Sequence, residues 1–124
     1  MTSNLIYQRI RNRVIEELES IVQAENMCPS YGVNELVNSW EDWVPIPMPK
    51  NYFSLPVFTA QENELLYQVG TAFNEFCKVT PKVIEDDAAA ILLPQWLSVV
   101  SAARSALSVM RIRGKMSEEH ELFL

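Results

Sequence analysis

The side chains that could do acid–base or nucleophilic chemistry are few. The chain has one histidine, His120, and two cysteines, Cys28 and Cys77. A serine or cysteine nucleophile would have to borrow His120 as its base. His120 lies in SEEHELFL, close to a chain end, where a base lacks the rigid support that proton transfer requires. It therefore reads as a solvent-exposed histidine. One histidine also excludes HExxH, and Ser117 stands where the Glu-x-x-His pair of di-iron bundles needs its glutamate.

The cysteines are 49 residues apart, which is neither CxxC nor a zinc-ligand spacing, so both read as reduced thiols. Cys77 follows Phe76 and is expected to be a small buried hydrophobe, with Cys28, beside Pro29, the more exposed of the two. The acid groups Glu16, Glu17, Glu19 and Glu85, Asp86, Asp87 offer oxygen ligands for a hard cation. They lack the spacing and glycine of a calcium loop and read as solvated faces, with Arg13 and Glu17 placed to pair one turn apart. No catalytic residue, metal ligand or cofactor is assigned.

Binding chemistry is better represented, in two groups. Trp40, Trp43, Tyr52 and Phe53 lie in or beside a proline-rich stretch and form the expected partner-binding set, since Trp and Tyr are enriched at interfaces. One of the two tryptophans is expected to anchor the stretch and the other to rest at its edge. Pro45, Pro47 and Pro49 alternate, which leaves PIPMPK without a PxxP ligand motif. The second group is Arg9, Arg13, Arg111 and Arg113, a weaker candidate for anions. If the first and last long helices run antiparallel, these bases and their neighbours meet at one pole.

The whole molecule argues against most polyanion partners. Ten Lys and Arg face sixteen Asp and Glu, a net charge of −6, and residues 16–100 hold thirteen of the acids with three bases. Non-specific attraction to nucleic acid or anionic membrane is disfavoured. A basic protein is the natural partner, because charge complementarity speeds encounter and rejects acidic competitors. Ala88–Ala103 is free of charge for sixteen residues, but it holds Pro94, Gln95, Ser98 and Ser101 and is too short for a membrane span. MTSNLIYQRIRNR has no apolar stretch after its charges, which predicts no signal peptide and a cytoplasmic protein.

These groups need helices to position them. At 124 residues the chain suits one domain, expected over 1–114 with an acidic tail over 115–124. Ser3 can cap a helix over about 4–25 whose Ile6, Ile10, Val14, Leu18 and Ile21 recur at spacings of four and three. Asn34 is a plausible cap for a short helix that stops at Val44, before Pro45. An extended arm runs from Pro45 to Pro56. Thr59 and Glu62 form a capping box for a helix over about 60–79, in which Gly70 implies close approach by another backbone. Thr80 and Pro81 would start a short helix over 81–90, and Pro94 a long one ending before Gly114.

The fold class is all-α: three long and two short helices in a small bundle, with Ile10, Val14, Leu18, Val69, Phe73, Phe76, Val100 and Leu107 in its core. The tail, which carries Leu122, Phe123 and Leu124, is expected to be mobile and to dock its apolar tip on a partner or a second copy. The functional expectation is a non-catalytic protein–protein interaction module, of which an acidic inhibitor or immunity-type protein is one instance. Two alternatives are a nucleic-acid-associated regulator using the basic pole and a small enzyme relying on carboxylates. A homo-oligomer fits any of the three. Truncating Phe73 to Ala should cost about 3 to 5 kcal/mol in a urea unfolding experiment; a loss under about 0.5 kcal/mol would remove it from the core.

Overall fold

In the computed structural model, which describes residues 3–24 and 32–122, the chain is all-helical. Helices α1 (Asn4–Gln23), α3 (Ala60–Val79) and α5 (Pro94–Arg113) have 20 residues each; α2 (Val33–Glu41) has nine and α4 (Asp87–Ala90) four. There is no strand among the described residues. The Ile6 amide donates to the Ser3 hydroxyl, and both halves of the Thr59–Glu62 capping box form. Gly114, at φ +73°, ends α5 with its amide donating to the Met110 carbonyl. Asn34 is not a cap. Gly32 precedes α2, and the Asn34 side chain instead pairs with the Ile84 backbone, its amide donating to the carbonyl at 2.7 Å and its oxygen accepting from the amide at 3.0 Å.

That pairing also corrects the expected helix over 81–90. With both backbone groups of Ile84 taken by Asn34, that residue cannot join a helical ladder, so within 81–90 only Asp87–Ala90 is helical, capped by Asp86, whose carboxylate accepts from the Ala89 amide.

α5 packs against both α1 and α3, and α2 packs on α1. The Trp96 indole donates to the Ala24 carbonyl while Arg111 reaches Glu19, so α5 runs antiparallel to α1. Phe76 lies 5.1 Å from Trp96 and Arg113 pairs with Glu62, so α5 is antiparallel to α3 as well. At the centre Trp40 meets Phe73 at 5.7 Å, and Phe73 meets Trp96 at 6.4 Å, which joins α2, α3 and α5. Val14, Leu18, Val69, Phe73, Phe76, Val100 and Leu107 are buried; Ile10 is half-buried at the edge of the core.

The arm wraps the bundle and buries Val44, Met48, Phe53, Val57 and Phe58. A Cβ on Gly70 would stand 3.2 Å from the Met48 nitrogen and Cβ, the close backbone approach the mid-helix glycine implies.

The arm's far end is held by a buried ion pair. Arg11 and Glu62, both essentially inaccessible, pair in a fork, Nη1 to Oε1 at 2.8 Å and Nη2 to Oε2 at 2.9 Å. Arg11 also donates to the carbonyls of Val57, Met110 and Gly114, which uses all five of its N–H groups. Burial by itself would raise the Glu62 carboxyl. The Arg11 and Thr59 hydrogen bonds, with the Arg11 and Arg113 charges, outweigh it and hold the group below the usual carboxylate range.

The described part of the tail lies against the helices rather than extending away from them. Residues 115–122 fold back along α1: Asn12 pairs with the Met116 backbone and Gln8 with the backbones of Ser117, His120 and Leu122. These are long-range contacts to polar helix positions, which hydrophobic periodicity does not report. The apolar tip at Phe123 and Leu124 lies outside the described residues.

Removing one partner of a buried pair leaves an uncompensated charge, so Arg11→Met should cost about 3 to 5 kcal/mol by urea unfolding. Adding Glu62→Leu should recover part of that loss rather than add to it. Because the Glu62 carboxyl is lowered in the fold, its stabilisation is complete above the unfolded value of about 4.3 and is lost as pH falls through the folded one. The Arg11→Met chain should therefore lose less stability than wild type over that acid range.

Candidate functional site

The expected partner-binding residues do not share one surface. Trp40 is fully buried at the bundle centre, its indole N–H without an acceptor among the described residues, and Phe53 is buried in a stack with Phe58 at 4.1 Å. Both are core residues, out of reach of a partner. Aromatic type and proline context look alike in a wrapping arm and in a docking surface, so composition does not separate the two. Trp40 is the buried member of the pair. Trp43, half-buried, lines a shallow groove of about 400 Å³ with Ile6, Ile10, Arg9, Arg13 and Glu118. Tyr52 is exposed over a separate groove of about 190 Å³ with Asn4, Tyr7 and Leu55.

The basic groups do meet at one pole, because α1 and α5 are antiparallel. They are not a bare positive cap. Arg13 pairs with Glu118 at 2.8 Å and with Glu16 at 3.1 Å, rather than with Glu17, and Lys115 pairs with Glu16. Arg111 pairs with Glu19, while Arg113 pairs with Glu62 and donates to the carbonyls of Pro56 and Val57. Arg9 donates to the Glu118 carbonyl. Four guanidiniums expected to face an anion are thus engaged by the chain's own oxygens. The Asn12 hydrogen bond, joined by the charge and hydrogen bond of Arg13 and the charge of Arg9, outweighs burial and lowers the Glu118 carboxyl.

Cys28 lies outside the described residues. Among the described residues no group of three or more His, Cys, Asp or Glu is placed to hold a metal ion. His120 is exposed, its amide donating to the Ser117 hydroxyl. Cys77 is exposed, not the buried residue expected, because it sits at the edge of the α3 face beside a cleft shared with Glu41 and Lys82. Partial burial of its thiol, and then the Glu41 charge, push its pKa up and away from a reactive thiolate. Glu17 accepts from the Ser39 hydroxyl at 2.9 Å, but its other oxygen is buried without a donor among the described residues. Burial, opposed by the Ser39 bond and joined by the Asp42 and Glu16 charges, raises its carboxyl.

A stronger candidate surface lies at the opposite end of α5. A cleft of about 480 Å³ opens between the C-terminus of α3 and the start of α5, floored by Ile84, Ala90 and Leu93 and lined by Val79 and Val83. Glu85 and Asp86 are on its lining. Val79, Val83 and Leu92 are exposed by 51%, 65% and 77%, high values for aliphatic side chains neighbouring in one short stretch. The segment shows no helical or alternating period, so pattern analysis passes over it. What could have marked it is the concentration of Val, Ile and Leu between two prolines, beside three consecutive acids.

No protein-family model, curated protein or solved structure matches the chain. No helix among the described residues is long and apolar enough to cross a membrane.

A raised carboxyl disfavours folding at neutral pH, and the penalty fades as pH falls from the folded to the unfolded value. Glu17→Gln should therefore stabilise the protein at pH 7 by up to about 1 kcal/mol, the scale of one net hydrogen bond. Thermal unfolding across pH should show that gain shrinking toward pH 4, and a gain independent of pH would contradict the assignment.

Proposed function

We propose that the chain is a non-catalytic protein-interaction module whose acidic, apolar cleft between α3 and α5 receives a basic, partly apolar segment of another protein. The observation that carries this reading is the exposed pair Val79 and Val83 on a cleft also lined by Glu85 and Asp86, with Leu92 exposed in the same stretch of chain. Apolar area supplies affinity on burial, and a carboxylate rim on a protein of net charge −6 favours cationic partners. The internal pairing of Arg9, Arg13, Arg111 and Arg113 supports the same choice, since those bases neutralise the chain's own groups at the far pole. An acidic inhibitor or immunity-type protein acting on a basic partner is one instance of this class.

The test is capture from a lysate of the native host at low and moderate salt, with wild type, Val83→Asp and Glu85→Lys. Wild type should retain a basic protein more weakly as salt rises. Each variant should lose at least tenfold in retention, about 1.4 kcal/mol, at an unchanged melting temperature. Retention unaffected by both substitutions would overturn the site. Co-purifying nucleic acid that is lost in the Arg9→Gln, Arg13→Gln double variant would overturn the reading itself.

A further inference from the structure

The polar contacts between the tail and α1 have the character of ligand recognition rather than of core packing. Asn4, Gln8 and Asn12 recur every four residues on one face of α1, and each reads peptide backbone. Asn12 donates to the Met116 carbonyl at 2.8 Å and accepts from the Met116 amide at 2.9 Å. Gln8 donates to the carbonyls of Ser117 and His120, both at 2.9 Å, and accepts from the Leu122 amide at 2.6 Å. Asn4 donates to the Leu122 carbonyl, and its backbone amide, in the first turn of α1, donates to the Glu121 carboxylate. With the tail in place Gln8 and Asn12 are 1% and 2% exposed, so their carboxamides are wholly given over to its backbone.

Side-chain selectivity is added at one position. The Glu118 carboxylate accepts from Asn12 at 3.1 Å and from Arg13 at 2.8 Å, while Arg9 takes the Glu118 carbonyl. The apolar contribution is small, because Met116 is only half-buried, Leu122 is 37% exposed, and Lys115, Ser117, Glu119 and His120 face solvent. A segment held by hydrogen bonds at the surface can leave without opening the core. It departs from α5 at Gly114, whose φ of +73° places the turn on the residue best able to change it.

We propose that this amide-lined face of α1 is a peptide-binding site, filled in cis by residues 115–122 and open in trans to the same segment of a second copy of the chain. The site asks its ligand for an exposed backbone over seven residues and a carboxylate two positions after the residue paired with Asn12. The tail of a second copy meets those demands with no new contact, which is the condition for exchange of an identical element between protomers. The site is on a different face from the acidic cleft and stands or falls independently of it.

Two full-length variants separate site from ligand. Gln8→Ala with Asn12→Ala removes the site and keeps the tail, whereas Met116→Pro removes the amide that Asn12 reads and keeps the site. Each variant alone should be monomeric by light scattering after gel filtration, and an equimolar mixture should form a one-to-one dimer. A synthetic peptide of residues 115–124 should bind the Met116→Pro chain saturably, and its Glu118→Arg version at least tenfold more weakly. A mixture of folded variants that stays monomeric, or equal binding of both peptides, would overturn the proposal. Should either variant fail to fold, amide hydrogen exchange of the wild type decides. Met116 and Leu122 must exchange faster than Leu107 in the core, and equal rates would mean the tail leaves only when the whole chain unfolds.

Discussion

The buried fork between Arg11 and Glu62 is the constraint on which the rest of the architecture depends. A guanidinium has five N–H groups and no acceptor, and every one must find an oxygen once water is excluded. Here those oxygens come from α3, from the arm at Val57, and from the end of α5 at Met110 and Gly114. One side chain on α1 therefore sets where three other segments lie. The Phe58 ring stands over the guanidinium at 5.6 Å and stacks on Phe53, so the arm's aromatic layer is positioned by the same charge. Such a pair is weak evidence for net stability, but its geometric demands discriminate strongly between alternative packings.

The charge distribution follows from that arrangement. Antiparallel packing of α1 and α5 gathers the bases at one pole, and repulsion among them is relieved by interleaving Glu16, Glu19, Glu62 and Glu118. Arg113 and Arg9 spend hydrogen bonds on backbone carbonyls of the arm and tail, and so act as fasteners. Asp86, whose carboxylate caps α4, and Glu85 lie at the opposite end of α5, beside the exposed aliphatics of the α3–α5 connection.

The arm, the connection between α3 and α4, and the tail are each pinned by helix side chains reading their backbones. Asn63 on α3 accepts from the Phe53 amide, Asn34 on α2 pairs with Ile84, and Asn12 and Gln8 on α1 pair with the tail. An irregular segment laid on a helical bundle buries backbone groups that no helix or sheet satisfies, and a carboxamide offers one donor and one acceptor edge to meet both. This explains why Asn12 and Asn63, like Gln8, are buried beside the apolar residues of α1 and α3.

Local physics determined much of the chain directly. Hydrophobic spacing, the Thr59–Glu62 capping box, Pro94 and Gly114 set the bounds of α3 and α5, because caps and periodicity act within a few residues. The same spacing marked Leu18, Val69, Phe73 and Val100 as core, and Gly70 as a point of close approach. What tertiary structure alone decided were the partners of polar and aromatic side chains. Trp40 and Phe53 carry the composition of an interface, yet the wrapped arm buries them. Arg9, Arg13, Arg111 and Arg113 have the charges of an anion site, yet carboxylates and carbonyls from up to about a hundred residues away meet them. Asn4, Gln8 and Asn12 are legible as a row of amides, but their role waits on the return of residue 116 across the fold. The reason is range: backbone propensity is written in neighbouring residues, whereas the satisfaction of a buried charge or amide depends on whatever the folded chain brings within about 3 Å.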